Sequence, residues 1–117
     1  MIIEKRTIDK PWGSESIWAQ TEDYVGKILF INKGHRLSRQ FHEKKEETIL
    51  VKSGTLSLEI GKSKIKFIVL GPGQAYHIPP KVVHRFEALD RDVVLIEVST
   101  PELEDVVRLE DDYKRIK

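Results

Sequence analysis

The chain has 117 residues, enough for one domain (1–117) that buries roughly two-thirds of its unfolded surface without staples. Its 20 basic and 19 acidic residues leave a net charge of +1, which gives no general attraction to nucleic acid or to an anionic membrane. Cysteine is absent, which removes disulfides, thiolate nucleophiles and cysteine metal sites; no apolar stretch is long enough to span a bilayer, and the charged opening MIIEKRTIDK lacks an apolar signal core, so the expected location is cytoplasmic.

In chain order, short strand-like runs alternate with Gly- and Pro-bearing turns. YVGKILFI (24–31) meets a turn at Lys33-Gly34. ETILVKSG (47–54) ends in Ser-Gly, and TLSLEIG (55–61) alternates apolar with polar residues before Gly61. IKFIVL (65–70) runs into GPG, AYHIPP (75–80) is stopped by two prolines, and VVHRFEAL (82–89) precedes a turn at Asp90-Arg91-Asp92. VVLIEVS (93–99) is the most apolar run. Many short strands at regular spacing predict an all-β sandwich or barrel. The tail 100–117, TPELEDVVRLEDDYKRIK, reads differently. Thr100 can cap, Pro101 can open and the acids can follow, which predicts a short C-terminal helical segment.

Residues two apart in a strand share a face, so Gln40 and His42 project together. Glu47 opens the next run after a short charged turn, EKKE, and His84 opens a later one. An amide oxygen, a carboxylate and two imidazoles suit a borderline or hard divalent ion: zinc, manganese, iron, cobalt or nickel. Each residue alone reads as a solvated or hydrogen-bonded side chain; the four together at these intervals favour a metal site.

The spacing resembles the cupin pattern. Gly34, five residues, Gln40, Phe41, His42, four residues, Glu47, six residues and Gly54 follow its first motif. Gly73, five residues, Pro79, Pro80, Lys81, two residues and His84 follow its second, with Gln40 in place of a His and Lys81 in place of a Gly. KPWGS (10–14), RLSRQFH (36–42) and VRLEDDYKR (107–115) are similar to segments of the cupin domain of type II mannose-6-phosphate isomerases, from about Lys10 to Arg115, with Lys114 where that family commonly has Gly. The resemblance implies a cupin jelly-roll barrel. It also implies one divalent metal, zinc first, on Gln40, His42, Glu47 and His84, and interconversion of mannose 6-phosphate and fructose 6-phosphate. In many relatives a sugar-nucleotide transferase domain precedes this one; it is absent from these 117 residues, so guanylyltransferase activity is not expected of them.

Such a reaction needs a polarised carbonyl, a base and a cationic phosphate site. Arg36, on the strand parity of Gln40 and His42, is the first choice for substrate phosphate or oxygen, with a surface ion pair as its alternative. Lys27, Arg108 and Arg115 are further substrate-binding candidates. Glu97, a carboxylate on an apolar strand, is the candidate base, with a structural partner for an Arg as its alternative. Trp12 and Trp18 are expected to cover a barrel end or a subunit contact. The expected partners are a small sugar phosphate and a second copy in a homodimer, with no nucleic acid and no membrane. A cupin that binds a sugar or another small molecule without catalysis is the competing reading.

Overall fold

A computed structural model describes residues 1–116. Eleven strands run in order: β1 Arg6–Lys10, β2 Gly13–Gln20, β3 Val25–Ile31, β4 Arg39–Phe41, β5 Glu47–Ser53, β6 Leu56–Ile60, β7 Lys66–Leu70, β8 Ala75–Ile78, β9 His84–Ala88, β10 Val93–Ser99 and β11 Val107–Glu110. They form two antiparallel sheets, ordered β1-β2-β3-β10-β5-β8 and β11-β4-β9-β6-β7. The core comes from alternate positions of both: Leu29 and Ile31 on β3, Ile49 and Val51 on β5, Leu56 and Leu58 on β6, Phe86 and Ala88 on β9, Val93 and Leu95 on β10. This is the period-two burial expected of paired sheets. It confirms the all-β reading.

The turns carry their own logic. Gly54, which closes the first motif, has φ +81°, and a Cβ there would stand 2.3 Å from the Asp92 carbonyl oxygen. Conformation and space both demand glycine. Lys81 and Lys114 have φ 68° and 58°. These are the two positions where the resemblance expects glycine and this chain has lysine, which here adopts the left-handed backbone that glycine takes without cost.

The expected C-terminal helix is not formed; among the described residues there is no helix. The Thr100 hydroxyl accepts from the Glu46 N–H at 3.0 Å, so it fastens the tail to the turn before β5 instead of capping a helix. Residues 101–106 close tight turns, with Leu103 N donating to Pro101 O at 2.8 Å and Val106 N to Glu104 O at 3.0 Å. The tail then pairs as β11 with β4. The adjacent Val106 and Val107 suit that extended backbone.

Candidate metal centre

β4 is only three residues long, and it delivers Gln40 and, just past its end, His42. Gln40 is the direct cross-strand partner of His84, so the two share a face. Glu47 opens β5 on the six-stranded sheet and is buried, at 2% exposure, as are His42 and His84. Strand order therefore brings residues from both sheets to one point. His84 Nε2 lies 3.2 Å from Glu47 Oε1 and His42 Nε2 lies 3.8 Å from Glu47 Oε2, and one donor atom from each of the three residues falls within 4.8 Å of the others.

The hydrogen bonds fix which nitrogens are available. His42 Nδ1 donates to the Asp105 carbonyl and His84 Nδ1 to the Val82 carbonyl at 2.9 Å. In a neutral ring held this way the lone pair is on Nε2, and both Nε2 atoms face a carboxylate. His42 Nε2, His84 Nε2 and Glu47 Oε1 are buried without a hydrogen-bond partner; the 3.2 Å approach lacks hydrogen-bond geometry. Three converging, unsatisfied electron-pair donors are costly unless a cation lies among them. Imidazoles oriented through Nδ1 are how metal-binding histidines are held. Burial drives the Glu47 carboxyl toward neutrality, but His42 and His84, when they carry a proton on Nε2, and Lys45 outweigh it and hold its pKa well below the usual range. The group fits a divalent ion with nitrogen and oxygen ligands.

A cavity of about 110 Å³ opens beside it. Its lining includes Gln40, His42, Glu47, Glu97, Lys27, Arg108 and Arg115, so eight of the nine residues singled out in the sequence (these seven and His84) meet at or beside one hollow. Gln40 Oε1 accepts from Ser38 Oγ at 3.1 Å. Lys27 is neutralised by Glu15 at 2.9 Å. Arg115 is clamped by Asp111 through Nε at 2.7 Å and Nη2 at 3.0 Å, and the Arg115 guanidinium holds the Asp111 pKa down at about 2. Arg108 stands apart: it lines the cavity, its Nε is buried without a partner, and no described acid lies within ion-pair distance. Burial and the neighbouring Arg115 lower its pKa.

Arg36 is not brought to the cavity. Its Nε and Nη2 grip Asp112 at 2.7 and 3.0 Å. Strand parity fails here because residues 37 and 38 lie outside β4 and both are buried, Leu37 at 8% and Ser38 at 1% exposure. The surface ion pair held as its alternative is what forms. Trp12 is buried and lines the cavity, while Trp18 is exposed.

Lys45 was invisible in the sequence, where EKKEE reads as a solvated turn. It is buried at 6% exposure, with Nζ 3.0 Å from Glu47 and 3.3 Å from Glu97. Burial opposes its charge, yet Glu97 and Glu47 raise its pKa overall. Its position two before Glu47, on the same parity, is the signal that could have found it. Glu97 is raised, first by burial and then by Glu47.

The family model described as "Mannose-6-phosphate isomerase C-terminal" matches residues 2–111. Mannose-1-phosphate guanylyltransferase ManC of Salmonella typhimurium is 34% identical over 116 residues, covering 95% of this chain and 23% of the relative. The chain spans about a quarter of the length of the curated relatives it matches. Among solved structures, KdgF from Halomonas sp. has a TM-score of 0.77 at 21% identity, covering 89% of this chain and 96% of that one. An RmlC-like cupin from Shewanella frigidimarina has a TM-score of 0.75 at 18% identity, with 86% and 87% covered. At these identities the two structures establish the cupin fold.

Proposed function

The chain belongs to the mannose-6-phosphate isomerase C-terminal family, and we propose that it is a metal-dependent aldose–ketose isomerase acting on a sugar phosphate, with mannose 6-phosphate and fructose 6-phosphate as its pair. The convergence of two Nδ1-anchored histidines and Glu47, all buried and unsatisfied, carries the reading.

His42, Glu47 and His84 would hold the divalent ion, zinc first, with the Gln40 amide oxygen as the fourth protein donor beside His84. The ion, when bound, polarises the carbonyl oxygen and stabilises enediolate charge. Glu97 is the proposed base. Its raised pKa suits it to take a proton from the carbon next to the carbonyl and return it to the neighbouring one. Lys45, bridging Glu97 and Glu47, holds the two carboxylates in one place. Arg108 takes the phosphate role in preference to Arg36, because its guanidinium has no acid partner to surrender. Lys27 and Arg115 line the same wall but are already paired, with Glu15 and with Asp111.

The test is a coupled assay of mannose 6-phosphate turnover with zinc, manganese or cobalt. Arg108→Ala should raise KM for the phosphorylated sugar by about 10- to 100-fold, the scale of one charge-assisted hydrogen bond. Arg36→Ala should leave KM within a few-fold of the parent. Sugar-phosphate binding without turnover under all three metals would move the assignment to a non-catalytic sugar-binding cupin.

A further inference from the structure

His42 and Glu47 are separated by four residues, Glu43 to Glu46. No strand ladder holds these four, since β4 ends at Phe41 and β5 begins at Glu47. Their backbone N–H groups all go to side chains of the C-terminal tail. Glu43 N donates to Asp105 Oδ1 at 3.0 Å, and Lys44 N and Lys45 N donate to Asp105 Oδ2 at 2.7 and 2.9 Å. Glu46 N donates to Thr100 Oγ1 at 3.0 Å, and Thr100 N returns a bond to the Glu46 carbonyl at 3.1 Å. Three successive N–H groups turned to one side form a concavity for an anion, and the Asp105 carboxylate fills it. The backbone of the same residue makes a second contact: the Asp105 carbonyl accepts from His42 Nδ1. Lys81 N donates to the His42 carbonyl at 2.6 Å, which fixes the chain ahead of the turn but not the imidazole.

We propose that Asp105 is a positioning residue for the metal centre: its carboxylate sets the path of the chain between His42 and Glu47, while its carbonyl sets the His42 ring. The role rests on His42, Glu47 and His84 being ion ligands. Three groups of the site depend on this turn: His42 precedes it, Lys45 lies within it and reaches Glu47 and Glu97, and Glu47 follows it. The length of the spacer does not dictate their placement. Four residues off the ladder have many backbone paths, and a carboxylate that accepts three N–H bonds selects one. A bond at Nδ1 is what gives a metal-binding histidine its fixed direction. Asn cannot stand in for Asp at this position. With one oxygen gone, its NH2 group would face an N–H where an acceptor is needed. The tail that carries Asp105 also lines the cavity through Leu103 and Val106, so one clasp joins ligand geometry to the wall that a substrate would meet.

Zinc affinity, measured on stripped protein by competition against a chromogenic chelator, reads the outcome. The parent should take up one zinc. Asp105→Asn should raise the zinc dissociation constant by about 10- to 100-fold, the scale on which residues that orient metal ligands act, with unchanged far-ultraviolet dichroism. Asp112→Asn is the matched control. Asp112 also ties the tail down, but to Arg36 and Arg85 instead of the 43–46 turn, so its loss should leave the zinc constant unchanged. If Asp105→Asn does not fold, Thr100→Val replaces it. That change removes the acceptor of one N–H in the four and should raise the constant by about 3- to 10-fold, the scale of one neutral hydrogen bond. Zinc bound as tightly by the variant as by the parent, or weakened equally in Asp112→Asn, overturns the proposal and leaves the metal centre standing. A parent that takes up no divalent ion overturns both. Weaker zinc binding in Asp105→Asn, with no sugar-phosphate turnover in the parent, upholds the positioning role and counts against the isomerase alone.

Discussion

Lys45 is the residue on which the charge balance of the site turns. Two buried carboxylates, Glu47 and Glu97, share one ammonium, and like charges in a dry pocket repel unless something lies between them. Without a metal, Lys45 is the ammonium that bridges both carboxylates. Lys45→Met should therefore destabilise the metal-free protein by about 3–5 kcal/mol, the cost of leaving a buried charge unpaired. A divalent ion on Glu47 returns positive charge to the same carboxylates. The melting temperature of Lys45→Met should thus rise more on adding zinc than that of the parent. Equal shifts in the two proteins would show that Lys45 and the metal do not share Glu47.

The C-terminal strand and its turn show what an element contributes. β11 pairs with β4, the strand that presents Gln40, and Asp111, at the end of β11, folds the tail back. Its carboxylate accepts from the Arg115 backbone N–H and guanidinium at 2.7 Å each. Because Asp111 sits at about 2 against an ordinary 3.8, its contribution is fully present above the unfolded value and is lost as pH falls through about 2. Asp111→Asn should cost about 1 kcal/mol at neutral pH, after allowance for the partly exposed Arg115. The gap in melting temperature between parent and variant should stay constant above about pH 5 and close as pH approaches 2. A gap that persists unchanged to pH 2 would assign the effect to shape and not to charge. This element was also the least legible in the sequence. Pro101 and the acids after it mimic a helix start, and only the tertiary partners, Glu46 for Thr100 and β4 for β11, decide otherwise. Residues whose partners are local in a strand, such as the inward Leu56 and Leu58 on β6, were readable from alternation. Arg36 and Lys45 were harder to read, since both lie outside the strands and their partners, Asp112 and Glu97, are more than fifty residues away.

At the scale of the whole molecule, the metal group is a cross-link. Glu47 belongs to the six-stranded sheet, His84 to the five-stranded one, and His42 follows the short strand β4 of the latter. In the unfolded chain His42 and His84 are 42 positions apart, as the numbering gives directly, so the site exists only when the two sheets are packed together. An ion that binds the folded state alone stabilises it by mass action, about 2.7 kcal/mol at a hundredfold excess over its dissociation constant. For a chain of this length that is a rise of about 10 °C in melting temperature. Zinc added to chelator-stripped protein should produce that rise, and His84→Ala and Glu47→Gln should each abolish most of it while leaving the fold intact. Magnesium should do far less, because it demands octahedral oxygen ligands and two of the three converging donors here are imidazole nitrogens. Zinc that binds stoichiometrically yet leaves the melting temperature unchanged, or shifts it equally in His84→Ala, would locate the ion elsewhere on the surface. The three unsatisfied atoms between the sheets would then need another cation, and Lys45, already 3.0 Å from Glu47, is the one within reach.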